Sequence, residues 1–409
     1  MVGTVRRLVL SGYYGFHNSG DEAVLQSILL ALAEEAEQAG ISVEPVVLSG
    51  DPEWTKKLYG VEAVNRMKLG EVLSAIRGSD GLISGGGSLL QDATGKLTIP
   101  YYLAIIKLAQ WLGKPTFIYS QGIGPVGSRA FFGPIRRAFA RCAYVSVRDR
   151  ESAELLRRMG LSAPVDVVPD PVMGLPLRTP APAAPEEAPA AASERGGAAA
   201  AAGASGPERE APGDPAGGAS AAAAAEKPAP VIGVSVRFWN ADRSELAAVA
   251  AALNRIRRDR RVRVRFLPFH LPSDEEASRE VVRRMGAESA PDVRIAAGLE
   301  HPQAMLAAVG ECSLLIGMRL HSLIYAASQH VPVVGISYDP KIDQFLARLN
   351  RQAAISTDRS DVDRLAREAM LLLDSREAWT VSAHPLIETL KNEAHRPAER
   401  IVDLLAKKG

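Results

Sequence analysis

From about Thr179 to Pro230 the chain runs through Ala, Pro, Gly and Glu with almost no large apolar side chain. A stretch of that composition cannot bury enough surface to offset the entropy of ordering it, so it reads as a disordered linker or insertion. This break constrains the rest of the fold. The 409 residues must build their structure as blocks on either side of it, and a chain of this length already exceeds what one core commonly holds.

The two blocks read alike. In the first, strands are expected at Arg7–Ser11, Val43–Leu48, Gly81–Ser84, Thr116–Ser120, Tyr144–Val147 and Val165–Val168. Helices fall between them at Asp21–Gln38, Leu69–Arg77, Ile99–Leu112, Phe132–Arg141 and Glu151–Met159. In the second, strands at Val231–Val236, Val262–Leu267, Val293–Ala296, Leu314–Ile316 and Val331–Ile336 alternate with helices at Ser244–Ile256, Asp274–Met285, Pro302–Val309, Leu320–Ser328 and Ile342–Leu349. Val/Ile-rich strands alternating with helices make parallel sheets covered on both faces. The expected fold class is therefore α/β, with two Rossmann-like domains facing a cleft. The boundaries read as residues 1–178 for the first domain, 179–230 for the linker, 231–380 for the second domain and 381–409 for a C-terminal helix that packs on either one.

Charge and composition exclude several classes. With 48 Lys and Arg against 47 Asp and Glu, the net charge is +1, which is no basis for nucleic-acid binding. The two cysteines, Cys142 and Cys312, form no CxxC pair and no zinc pattern, which fits a reducing compartment. The N-terminus enters its first strand without a long apolar run, so no signal peptide is expected. The apolar helix at Ile99–Leu112 is short and carries Lys107, as a core helix does. Arg136, Arg137 and Arg141 beside Phe131 and Phe132 read as a solvated helix face, with a peripheral membrane contact left open.

Open α/β sheets bind ligands at the carboxyl ends of their strands, so the chemistry is sought in those loops. The most informative is Gly317-Met318-Arg319-Leu320-His321-Ser322, after the buried run Leu314–Ile316. It sets a permanent guanidinium fork beside a side chain that transfers protons near neutral pH. Arg148 ends the strand Tyr144–Val147, Arg237 ends Val231–Val236, and Lys341 leaves the strand Val331–Ile336. All three are anion-binding candidates. Asp149 reads as a helix cap, and His270 is open between a structural and a functional role. In the first block, Tyr13, Tyr14, Phe16, Asn18, Asp21 and Glu22 lie in one Gly-rich turn. Its carboxylates would repel a phosphate and suit sugar hydroxyls, while Asp21 is equally readable as a helix cap. Gly85, Gly86 and Gly87 follow a strand and expose backbone N–H groups to a ligand. Asp361-Val362-Asp363 spells a metal and nucleotide signature, but it opens a predicted helix and reads as its N-terminus.

Taken in order, the Gly12–Glu22 turn, the Ser84–Asp92 loop, Arg148-Asp149-Arg150-Glu151-Ser152 and Gly317-Met318-Arg319-Leu320-His321 resemble the polysaccharide pyruvyltransferase family, and within it the CsaB-like branch. The resemblance covers both blocks and leaves out the Ala/Pro-rich segment. It implies a GT-B-like fold and transfer of pyruvate from phosphoenolpyruvate (PEP) to two hydroxyls of one sugar, forming a cyclic ketal and releasing phosphate. For this branch it implies β-N-acetylmannosamine in a secondary cell wall polymer whose pyruvylated end is held by S-layer homology domains. His321 is then the candidate acid and Asp21 a candidate base. Arg148, Arg319, Lys341 and Arg237 would bind PEP. Tyr14, Phe16, Asn18 and Gly85–Gly87 would hold the acceptor.

No cofactor and no metal are called for. The expected partners are PEP and a polysaccharide precursor, lipid-linked or free, at the cytoplasmic face. Two other readings stay open: a GT-B glycosyltransferase using a nucleotide sugar, and a non-catalytic polysaccharide-binding protein.

Overall fold

Short apolar strands with no polar alternation must be covered on both faces, and the computed structural model covers them so. It describes residues 4–92, 95, 97–178 and 228–407. The segment read as a linker lies outside the described residues except for its last three.

The first block supplies β1 (Val5–Tyr14), α1 (Ser19–Gln38), β2 (Ser42–Ser49), α2 (Pro52–Tyr59), β3 (Glu62–Asn65), α3 (Leu69–Arg77), β4 (Gly81–Gly85), α4 (Thr98–Trp111), β5 (Thr116–Gln121), α5 (Phe132–Phe139), β6 (Tyr144–Val147), α6 (Arg150–Arg158) and β7 (Asp166–Val167). The second supplies β8 (Val231–Ser235), α7 (Ser244–Asp259), β9 (Arg263–Phe266), α8 (Ser273–Met285), β10 (Val293–Ile295), α9 (Pro302–Gly310), β11 (Leu314–Gly317), α10 (Leu320–Ser328), β12 (Val333–Ser337), α11 (Pro340–Arg348), β13 (Ile355–Ser356), α12 (Val362–Asp374) and α13 (Arg376–Ala406).

Every strand pair is parallel. The sheets run β3-β2-β1-β4-β5-β6-β7 and β10-β9-β8-β11-β12-β13. Both orders reverse direction once, between β1 and β4 and between β8 and β11. Such a switch point opens a crevice between the two diverging loops. The Gly12–Glu22 turn, the Gly85–Gly87 loop, Arg237 and the Arg319–His321 pair fall on these four strand ends, while Arg148 and Lys341 follow the neighbouring strands β6 and β12.

The elements the sequence reading lacks are β3, β13 and α2. The two strands are edge strands of four and two residues, too short to show a periodicity. Helix α2 carries ordinary end signals, with Asp51 capping Trp54 N–H, Pro52 at its start and left-handed Gly60 at its end. β1 runs on to Tyr14, past the expected end, with a register irregularity between Ser11 and Tyr14.

One apolar core joins the two blocks. It runs from Leu25, Ile28 and Leu32 of α1 through Val172 and Met173 into the second sheet and on to Ile387, Ile401 and Val402 of α13. Helix α13 contacts α1, β5 and β6 on one side and α10 and α12 on the other, so it packs on both blocks. The other face of the first sheet has its own core, including Val9, Leu82, Ile106, Ile118 and Phe139. Burying a side chain of this size contributes about 1.5–3 kcal/mol, and α1, buried against both blocks, holds the two switch points together.

Candidate functional site

The N-terminus of α1 is where the two crevices meet. Asn18 caps the helix, its Oδ1 accepting from Gly20 N–H at 3.1 Å. Ser19 N–H donates to Phe269 O at 2.9 Å, and Asn18 pairs with His270 as an isolated antiparallel bridge. Tyr325 O–H of α10 donates to Ser19 O at 3.0 Å. The first turn of α1 therefore rests on the β9–α8 loop and on α10.

This contact puts His321 against α1. A methyl group on Gly20 would stand 2.1 Å from His321 Nδ1, so residue 20 lacks a side chain because the imidazole occupies that space. Behind the ring, His321 Nε2 faces Asp170 Oδ2 at 3.8 Å and has no hydrogen-bond partner among the described residues. Asp170 accepts from Arg148 Nη1 at 3.2 Å and from Val172 N–H at 3.2 Å. Arg148 also donates through Nη2 to Ser88 Oγ at 2.8 Å. Asp21, one residue after Gly20, lies under Gly87, where a methyl would come within 3.1 Å of its Oδ1. Thus β6, β7, the Gly85–Ser88 loop, α1 and α10 converge on one point.

The electrostatics of this point are those of a dry, crowded site. Burial pushes Asp21 up to about 7, and the carboxylates of Glu22 and Asp170 add to the rise while Arg148 and Lys341 oppose it. Burial pushes His321 down to about 4, against Asp170 and helped by Arg148, Lys341 and Arg319. Both groups move toward their neutral forms near pH 7, because burial penalises whichever form is charged. A carboxyl poised near 7 and an unpartnered imidazole nitrogen are suited to exchanging protons with a ligand.

The cations differ in how free they are. Arg319 immediately precedes α10 and is held by Asp274, its Nε donating to Oδ2 at 2.9 Å and its Nη2 to Oδ1, so one side of its fork is committed. Arg148 is buried and committed to Asp170 and Ser88. Lys341 pairs with Asp339 at 3.0 Å and stays about one-third exposed. A cavity of about 380 Å³ opens beside this group, its charged lining made of Arg148, Arg150, Lys341 and Arg348 with Asp149, Glu151 and Asp170. Its volume suits a small ligand, and Lys341, Arg150 and Arg348 offer that ligand cationic contacts. Arg237 stands apart. Its Nη1 donates to Tyr338 O–H at 2.9 Å, its guanidinium lies over Trp239 and Tyr338, and its charge acts on His270.

On the α1 side, the expected acceptor residues divide. Tyr14 is 1% exposed and donates to Gly85 O at 2.9 Å. It braces β1 against β4 and cannot reach a ligand, because the alternation of β1 turns it inward and its neighbour Tyr13 outward. Asn18 spends its carbonyl oxygen on the cap. Gly85 and Gly86 are required by packing: a methyl on Gly86 would meet Val24 Cγ1 at 1.9 Å, and the residue has a φ of +64°. Gly87 alone of the three borders Asp21. Glu22 is fully buried, accepting from Gly15 N–H at 2.8 Å and Tyr59 O–H at 3.1 Å, and so fixes the turn. Phe16 stacks on Tyr13 with centroids 4.1 Å apart and planes 8° apart. Arg66 lies over Phe16, Tyr101 and Tyr102, and Tyr13 is 39% exposed and feels the charge of Asp21. The open wall beside Asp21 is therefore Tyr13 and Phe16.

Asp170, Ser88, Asp274 and Tyr13 are the members of this site that the sequence reading does not assign. Asp170 was legible: it follows a strand, between Pro169 and Pro171, at the same sheet edge as Arg148. Asp149 caps α6, accepting from Ser152 N–H at 2.7 Å, and Asp361 caps α12, accepting from Arg364 N–H at 2.8 Å. Both lie where a helix N-terminus was read.

Solved structures with this architecture include a glycosyltransferase from Rickettsia africae (TM-score 0.61, 11% identity, 100% of each chain covered). They also include the UDP-GlcNAc 2-epimerase of Methanocaldococcus jannaschii (0.58, 10%, 99% of this chain and 100% of that one). The UDP-GlcNAc 2-epimerase of Neisseria meningitidis, solved with UDP-GlcNAc, is a third (0.56, 12%, 98% and 100%). These likenesses establish a fold of the GT-B type, two parallel-sheet α/β domains around a cleft. Comparison with the curated proteins gives no match. A family model described as polysaccharide pyruvyl transferase matches residues 18–340, a span that takes in α1, the Gly85–Ser88 loop, Arg148, Asp170, Arg319 and His321. The chain belongs to the polysaccharide pyruvyl transferase family.

Proposed function

We propose that this protein transfers the pyruvyl group of PEP to a sugar of a bacterial secondary cell wall polymer, as a CsaB-like member of its family. The sugar is β-N-acetylmannosamine, the product is a cyclic ketal, and phosphate is released. The observation that carries the reading is the convergence of His321, Asp21, Asp170, Arg148 and Lys341 at one point beside a cavity with a charged lining.

PEP brings a phosphate and a carboxylate. Lys341 and the open side of the Arg319 guanidinium would hold them, with Arg150 and Arg348 on the cavity lining and Arg148, already engaged by Asp170 and Ser88, adding its charge. In the free protein His321 is neutral, so it becomes an acid only when the charge of the bound donor raises its affinity for a proton. It then protonates the PEP methylene carbon. Asp21 takes the proton of the first sugar hydroxyl as its oxygen bonds to the adjacent carbon. The second hydroxyl attacks the same carbon, the bond to the phosphate oxygen breaks, and neutral His321 takes its proton. Asp21 returns its own proton to the departing phosphate. Both hydroxyl protons are accounted for, one on carbon and one on phosphate, and both residues are restored. The cations stabilise the phosphate as it leaves. The sugar lies on the Tyr13–Phe16 wall, with its hydroxyls toward Asp21.

No helix among the described residues is long and apolar enough to cross a membrane. We place the reaction at the cytoplasmic face, where PEP is available. The test is calorimetric titration with PEP and with UDP-sugars. PEP binding that weakens in Lys341→Met, with no UDP-sugar binding, supports the reading. UDP-sugar binding without PEP binding moves the protein to glycosyl transfer.

A further inference from the structure

At the opposite end of α10 from His321, three side chains with metal-ligating atoms come together where α13 crosses the helix end. His384 and Glu388 are one helical turn apart on α13 and share a face. His330 follows α10 and is held in the left-handed region at φ +55°, its N–H donating to Ala327 O at 2.9 Å. One ligand atom from each of the three lies within 4.8 Å of the other two. His330 Nε2 and Glu388 Oε1 are 3.2 Å apart. In a tetrahedral zinc site with bonds of about 2.0–2.1 Å, neighbouring ligands stand about 3.3 Å apart.

We propose that His330, His384 and Glu388 form a site for a divalent transition metal, zinc by its donor set, which clips α13 to the corner after α10. Two imidazoles and one carboxylate are a borderline-soft set that takes zinc in preference to magnesium or calcium. The site already draws a cation. Lys391 Nζ lies 2.9 Å from Glu388 Oε1 and 3.2 Å from His330 Nε2, so an ammonium bridges the two ligands that a metal would bridge. Lys391 is an internal competitor. On metal binding its flexible stem swings to solvent, and the exposed His384 ring turns in to supply the third ligand, leaving the fourth position for water. The consequence is mechanical. Helix α13 packs on both sheets, and α10 begins with Leu320-His321, so the clip fastens the helix that spans the blocks to the one that carries His321. The inference does not rest on the pyruvyl-transfer reading.

The test uses the full chain, stripped with a chelator and titrated with zinc chloride, followed by thermal unfolding and calorimetry. Cobalt(II) serves as the visible-spectrum probe of tetrahedral geometry. The expected result is one zinc per chain, a rise in Tm, and an intense cobalt spectrum. His384→Ala and Glu388→Gln, both on the accessible face of α13, should each weaken zinc by at least about tenfold, while Lys391→Gln tightens it. Equal zinc affinity in wild type, His384→Ala and Glu388→Gln would overturn the proposal, as would zinc binding unaffected by Lys391→Gln. Absence of zinc binding to the folded wild type would do the same.

Discussion

The two sheets share a strand order and a switch point, but they furnish the cleft with opposite chemistry. The first block brings Asp21 under Gly87 and the aromatic pair Tyr13 and Phe16. The second brings Arg319, His321 and Lys341. Arg148 and Asp170 cross this division, since they sit on the first sheet yet face the imidazole of the second. Two copies of one architecture thus make a single site only when α1 is pressed against α10. Burial then acts on both halves in opposite directions, lifting the carboxyl and lowering the imidazole toward neutrality. What distinguishes the halves is the set of side chains at equivalent strand ends, while the backbone supplies the same crevice twice.

Breaking the second half alone should have the largest effect. His321→Ala is expected to lower turnover by about 10³–10⁴-fold, leaving PEP affinity within a small factor, as measured by phosphate release and PEP titration. Breaking the contact between the halves comes next. Gly20→Ala drives a methyl into the His321 ring and should cost at least about 10²-fold in turnover with an intact fold in circular dichroism. Breaking the first half, Asp21→Asn should lower turnover by about 10²-fold with unchanged PEP binding. A Lys341→Met variant should mainly raise the KM for PEP, by about tenfold, since one charged contact to the anion is lost.

The smallest effect sharpens the comparison through pH. Asp21 has a folded pKa of about 7, raised above its unfolded value near 3.8. Its protonated form is therefore favoured by folding, and the stability it contributes is full below about pH 4 and lost as pH rises through 7. His321 works in reverse: its folded pKa of about 4 lies below 6.5, so stability falls as pH drops through that window. In urea unfolding, Asp21→Asn should gain on wild type between pH 4 and 7 and hold a constant difference above that. A difference that is flat across the window would mean the Asp21 carboxyl is not raised toward 7 in the folded protein.

Much of this was legible in the sequence, and the reasons are particular. Strand ends are legible because buried parallel strands are apolar runs with abrupt ends, and Arg148 and Arg319 stand just past two of them. What the sequence hides is orientation. Tyr13 and Tyr14 are neighbours of similar chemistry, yet the pleat sends one to the cleft and the other to the core. Gly86 reads as room for a ligand and is room for Val24. Arg319 reads as a free fork and is shared with Asp274, a partner far away in the chain. Such contacts are made by tertiary packing, which no local pattern records.

The central claim is that the two halves complete one pyruvyl-transfer site. The direct measurement is to incubate the protein with PEP and an N-acetylmannosamine-terminated acceptor and to identify the sugar product by NMR and mass spectrometry. The prediction is one cyclic pyruvate ketal formed on the sugar for each phosphate released, and none with His321→Ala. An acceptor recovered unchanged, or one extended by a sugar when UDP-sugars are supplied, would contradict it.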